Sequence, residues 1–182
     1  MSTLDPDSMN DLAETVEAAG DVRLIAAAVS GGATGAEAGT LSIMASGPKD
    51  CVDAARPYFD AVGSKTFYYG ARPGNSQAAK LVNNLVLGIF MNGVAEGLRF
   101  GAHYGLPQDE LLNLFKASTG DSWVVRNWDT VSKWTEDTAL AVLLKDLKAA
   151  HDKGLAHGIA MPFNALSSTL LFDSWGQKPK AG

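Results

Sequence analysis

Two side chains in one stretch of the chain have the types and spacing for acid–base chemistry. Lys80 and Asn84 stand four residues apart, a spacing that turns both to the same face of a helix. Between Asn75 and Tyr104 the only charged side chains are Lys80, Glu96 and Arg99. A lone ammonium at the start of an apolar helix has two natural fates. It snorkels its head to water, or it is held in a partly dry cleft. In a cleft, desolvation lowers its pKa, so that it can give and take a proton near neutral pH. An amide one turn further on would then suit a substrate hydroxyl or carbonyl. Spacing alone leaves both fates open.

Ser30-Gly31-Gly32 is a second candidate, because two glycines let the backbone approach a ligand and offer N–H groups to a carboxylate. The same tripeptide also serves as a plain turn. Lys145-Asp146, inside LLKDLKAA, reads either as a functional pair or as a solvated helix face. His103, His151 and His157 have no acidic or cysteine partners at metal-ligand spacing, so no metal site is expected. Trp123, Trp128, Trp134 and Trp175 read as core or interface residues. No two glycines are separated by a single residue, so the chain has no GxG and therefore no GxGxxG fingerprint. It has no Walker A, HExxH or GxSxG motif either.

The elements that must position these residues change character near residue 74. Before it, short apolar runs alternate with glycine and proline. The pattern predicts a helix over Asp7–Ala19 capped by Asp5 or Asp7, and strands at Arg23–Val29, Thr40–Ala45 and Lys65–Tyr69, with a helix from Pro48 to Ala61 between the last two. Strands alternating with helices indicate part of an α/β sheet. After it, Asn75–Tyr104 has no proline and predicts a helix about 45 Å long, the spine of a helical region. Gly93, Gly97 and Gly101 form a smooth ridge on it, where another helix could pack. Further helices are expected at Gln108–Ala117, Ser122–Trp128, Leu140–Lys153 and Phe163–Trp175, followed by a frayed tail. The expected domains are therefore 1–73 and 74–182.

Composition narrows the partners. The 182 residues are 46% hydrophobic and 19% charged, enough for a real core. A net charge of −5, from 15 Lys+Arg and 20 Asp+Glu, argues against a nucleic-acid footprint. The single cysteine, Cys51, excludes an intrachain disulfide. The first twenty residues carry acids and no apolar segment of signal-peptide type, so cytoplasm is the expected compartment. The uncharged run between Lys80 and Glu96 is shorter than the ~20 residues a bilayer demands, and it contains three asparagines, so no membrane partner is expected.

In order along the chain, these motifs resemble the β-hydroxyacid dehydrogenases, the family of 3-hydroxyisobutyrate dehydrogenase and tartronate semialdehyde reductase and, more distantly, 6-phosphogluconate dehydrogenase. Residues 27–32 (AAVSGG), continuing into Gly35-Ala36 and Gly39-Thr40-Leu41, resemble the family's substrate segment DAPVSGG followed by GAxxGTL. Residues 74–84 (GNSQAAKLVNN) resemble its catalytic GxGQAAKLxNN, and Lys145-Asp146-Leu147 its later KDL. Ser2-Thr3 with Pro6 resembles the Ser-Thr segment that ends the cofactor domain. Three departures are visible: Ala26 and Ala28 replace the usual Asp and Pro, and Asn75-Ser76 replaces a Gly-Ala-Gly context.

The resemblance implies a Rossmann-type sheet remnant followed by a helical domain like that of 6-phosphogluconate dehydrogenase. It implies hydride transfer between NAD or NADP and a small 3-hydroxy acid, in a homo-oligomer. It assigns Lys80 as general acid/base and Asn84 to the substrate oxygen. Ser30, Gly31, Gly32 and Asn83 fall to substrate binding, and Thr3, Lys145 and Asp146 to the cofactor. Lysine at position 80 favours this family over the related imine reductases, which lack it. The family begins with a Rossmann unit carrying GxGxxG, so the chain is expected to start after most of that unit and to be weak or inactive alone. The competing expectation is a non-catalytic helical dimerisation module of the same descent.

Overall fold

The computed structural model describes residues 1–175, and the chain divides into two compact units, Met1–Asn83 and the residues from Asn84 on. The tail expected to fray lies outside the described residues.

The first unit opens with α1 (Pro6–Ala18). Pro6 suits the first helical position, and the Asp5 carboxylate accepts from the Ser8 N–H at 2.9 Å, so the expected cap holds. A three-stranded sheet comes next: β1 (Ala26–Ser30), β2 (Leu41–Ser46) and β3 (Gly63–Tyr68), in that spatial order. β1 runs antiparallel to β2, and β2 parallel to β3. The parallel pair is joined by helices, as a parallel connection requires. Pro48 was expected to open one helix, but Pro57 divides it into α3 (Lys49–Ala54) and α4 (Arg56–Val62), because proline has no N–H to continue the ladder.

Both faces of β1 and β2 carry buried residues, which is why Arg23–Val29 reads as a continuous apolar run. Ile43 and Ala45 pack with Val52 and Phe59, flanked by Ala27 and Val29. On the other face Ala26, Ala28, Met44 and Ser46 are buried. The sequence reading missed α2 (Gly32–Glu37). Gly31 (φ +135°) and Gly32 (φ +64°) turn the end of β1 directly into this helix through backbone angles that other residues rarely adopt.

The helix α5 (Gly74–His103) begins in the first unit and runs into the second. By length and composition alone it could cross a membrane. In the second unit its Met91, Val94 and Leu98 belong to the main core, as in the spine of a helical domain. That core is completed by α6 (Gln108–Ala117), α7 (Trp123–Arg126), α8 (Trp128–Val131), α9 (Ala139–Ala156) and α10 (Pro162–Ser174). One helix was expected over Ser122–Trp128, but it breaks at Asn127 into α7 and α8, with the Ser122 hydroxyl capping α7 through the Val125 N–H. Trp128 and Trp175 meet edge to face at 5.6 Å, and the Trp175 indole N–H donates to the Val131 carbonyl at 3.3 Å.

The expected glycine ridge is partly used within the chain. A Cβ on Gly101 would lie 2.3 Å from Leu111 of α6, and one on Gly97 3.5 Å from Phe115, whereas Gly93 has nothing within 4 Å. At Gly88, which the sequence did not single out, a Cβ would lie 2.8 Å from Leu147 of α9.

Candidate functional site

In the first unit, the start of α5 is held by side chains from distant segments. A helix leaves its first N–H groups without internal partners. Here the Gly74 N–H donates to Asn10 Oδ1 at 2.9 Å, and the Ser76 N–H to Ser46 Oγ at 2.9 Å. Gln77, almost fully buried, accepts the Leu4 N–H through Oε1 at 2.8 Å. α1 and α5 touch so closely that a Cβ on Gly74 would sit 2.2 Å from the Pro6 carbonyl oxygen. The helix that carries Lys80 is thus anchored at its origin.

Lys80 lies just beyond this anchor and is half-buried, with Asn83 exposed further along the same helix. Ser30 at the end of β1 is half-buried, and Gly31 and Gly32 are exposed. Thr3 is half-buried in the segment that precedes α1. An open groove of about 380 Å³ is lined by Tyr69 and by Asn75, Ala78, Ala79 and Val82 of α5, a mainly apolar set that does not include Lys80.

In the second unit, the structure joins two predicted residues that stand 62 positions apart. Asn84 Nδ2 donates to Asp146 Oδ2 at 2.7 Å, with Asn84 5% and Asp146 1% exposed. Lys145 Nζ lies 3.2 Å from the other carboxylate oxygen, its side chain 58% exposed. A carboxylate taken out of water is costly unless paired and hydrogen-bonded, and Asp146 has both an amide and an ammonium. The bond also fixes which way the Asn84 amide points, since only its nitrogen can donate. Lys145-Asp146 is therefore neither wholly a solvated face nor wholly buried: one member points to water and the other into the unit.

The sequence reading missed Asn10, Ser46, Ser76 and Gln77. The visible signal was the departure at Asn75-Ser76. For Asn10 and Ser46 there was no local signal, because the groups they cap lie 64 and 30 residues away. Among the described residues, no group of three or more His, Cys, Asp or Glu is placed to hold a metal ion.

Comparison with known proteins assigns the class. Residues 74–177 match the family model described as NAD-binding of NADP-dependent 3-hydroxyisobutyrate dehydrogenase, and residues 1–70 the NAD binding domain of 6-phosphogluconate dehydrogenase. Both are described as NAD-binding parts of dehydrogenases. The chain belongs to the β-hydroxyacid dehydrogenase family.

It is 40% identical over 124 residues to 3-hydroxyisobutyrate dehydrogenase of Pseudomonas aeruginosa, an alignment covering 68% of this chain and 41% of that protein. It is 30% identical over 179 residues to the NAD-dependent L-serine dehydrogenase of the same organism, covering 93% and 59%. Among solved structures, the 3-hydroxyisobutyrate dehydrogenase of Mycobacterium tuberculosis with L-serine superposes with a TM-score of 0.82 at 26% identity, covering 97% of this chain and 65% of that one. The chain thus spans about half the length of the curated relatives it matches.

Proposed function

We propose that this chain supplies the hydroxy-acid-binding and proton-transfer part of an NAD- or NADP-dependent 3-hydroxyacid dehydrogenase. Residues 1–73 would belong to the cofactor domain and 74–182 to the helical domain. The observation that carries this reading is the buried Asn84–Asp146 hydrogen bond, which orients the amide one helical turn beyond Lys80. A neutral Lys80 amine would take the substrate hydroxyl proton as the carbon is oxidised, and the ammonium would return it in reduction. Asn84, its amide oriented by Asp146, would hold the reacting oxygen. Backbone N–H groups at Gly31 and Gly32, with Ser30 and Asn83, would hold the carboxylate.

Lys145 and Thr3 would each offer a donor to a nicotinamide dinucleotide. Lys145 presents an exposed ammonium suited to phosphate or ribose oxygens, and Thr3 offers a hydroxyl. When bound, that group supplies the hydride acceptor or donor. Asp146, which the resemblance grouped with the cofactor, is better suited by its burial to orienting Asn84.

The test is nicotinamide-linked turnover of 3-hydroxyisobutyrate and L-serine by the protein carrying a complete NAD-binding domain and by its Lys80→Ala variant. Turnover is expected to fall by roughly 10²–10⁴-fold in the variant, the usual contribution of a positioned acid/base. Lys80→Arg should fail too, since a guanidinium keeps its proton near neutral pH. Full activity in either variant removes Lys80 from this role.

A homo-oligomer is part of the same reading. In the second unit Val86, Phe90 and Phe100 of α5 are 40%, 46% and 67% exposed, an apolar face of the kind that another copy would cover. A monomer by sedimentation equilibrium at micromolar concentration would count against it. The non-catalytic helical module draws on the same face, and absence of turnover in the protein carrying a complete NAD-binding domain would favour it.

A further inference from the structure

We infer that Ser76 is a positioning residue for Lys80: its buried hydroxyl pins the first turn of α5 to β1 and β2 at a single rung. Ser76 is 0% exposed. Its Oγ accepts the Ala28 N–H at 3.0 Å and donates to the Met44 carbonyl at 2.6 Å. Ala28 and Met44 face each other across the antiparallel ladder, so one hydroxyl touches both strands. The backbone N–H of Ser76 donates to Ser46 Oγ, and the Ser46 hydroxyl, also 0% exposed, donates to the Pro73 carbonyl at 2.6 Å. The two serines thus lock the end of β2, the loop before α5 and the helix start together.

The consequence lies in the residues next to the clamp. Ala28 precedes Ser30 by two residues on β1, and Ser76 precedes Lys80 by one helical turn. The Ser76 hydroxyl ties the strand ending in Ser30-Gly31-Gly32 directly to the helix turn before Lys80. A rigid helix fixed in its first turn carries that placement to the next turn.

The inference rests on the proposed role of Lys80 for its importance, but its test needs no turnover. In Ser76→Ala, hydrogen exchange at the Ala28 amide is expected to quicken by about tenfold or more, as local protection is lost. Acetylation of Lys80, quantified by mass spectrometry, should rise by about threefold or more as the amine gains freedom and water, while exposed Lys65 and Lys116 in the same sample change little. Ser46→Ala loosens the same turn from the other side and should give a smaller rise at Lys80, which keeps the test available if Ser76→Ala folds poorly.

Unchanged exchange at Ala28, or an unchanged Lys80 rate relative to Lys65 and Lys116, overturns the inference. If the clamp behaves as expected while Lys80→Ala turns over hydroxy acids normally, the proposed function fails and the positioning role stands.

Discussion

The two units hold their shape by different means. In the first, Ala26, Ala28, Ala45 and Ser46 are small buried strand residues beside the larger Leu41, Ile43 and Met44. The docking of the start of α5 is specified by hydrogen bonds from Asn10, Ser46, Ser76 and Gln77. In the second, the helices are specified by shape. Leu147 enters the gap left by Gly88, Leu111 the gap left by Gly101, and Trp128 meets Trp175. Buried hydrogen bonds are directional and fix a register, whereas close packing fixes a distance and gains most of its energy from area removed from water. The unit that carries Lys80 is the one built for register.

This contrast can be broken most severely in the second unit. Leu147 is 0% exposed, and Leu147→Ala should destabilise the protein by about 2–5 kcal/mol, because Gly88 opposite it cannot fill the cavity. Urea unfolding measures this, and a loss below about 1 kcal/mol would mean that the helical packing collapses to fit.

In the first unit, Gly74→Ala should cost about 1–3 kcal/mol, since the new methyl meets the Pro6 backbone oxygen rather than a side chain that can turn away. Gly88→Ala, whose methyl would meet the flexible end of Leu147, should cost less than Gly74→Ala in the same experiment. The opposite order would reverse the comparison.

The smallest effect is electrostatic and is shared by both units. The hydrogen bond from Arg126 holds the Asp121 carboxyl below the usual carboxylate range, and Arg23 does the same for Asp50. A carboxyl with a lowered folded pKa stabilises above its unfolded value, near 3.9, and that contribution is lost as pH falls through the folded value. Arg126→Gln and Arg23→Gln should each lower Tm slightly at pH 6, and the deficit should shrink as acid protonates the two carboxyls. As surface pairs they should also fade in high salt. A deficit that persists in acid would trace to packing by the arginine stems instead.

Much of the architecture was legible along the chain, because its signals are local. Asp5 caps α1 three residues ahead of its partner, Ser122 caps α7 in the same way, and the apolar pattern of Asn75–Tyr104 located α5 to within a residue at each end. The order of the motifs around Ser30-Gly31-Gly32, Lys80 and Lys145-Asp146 was enough to indicate the family. The breaks within Pro48–Ala61 and Ser122–Trp128 were less legible, since one proline and one asparagine had to outweigh a continuous helical pattern. The helix α2 escaped because a glycine pair marks a turn but carries no signal for the element beyond it.

What the sequence determined by itself was therefore most of the elements, their order and the residue types available for chemistry, since helix period, strand alternation and caps act over a few residues. Only the tertiary structure decided which of those residues meet. Asn10 caps a helix that starts 64 positions later, Ser76 joins two strands whose rung lies 48 and 32 positions earlier, and Asp146 orients Asn84 across 62 positions. Each of those groups has several equivalent partners available in an unfolded chain. Only burial, by removing water as the competing partner, makes one pairing far better than the rest.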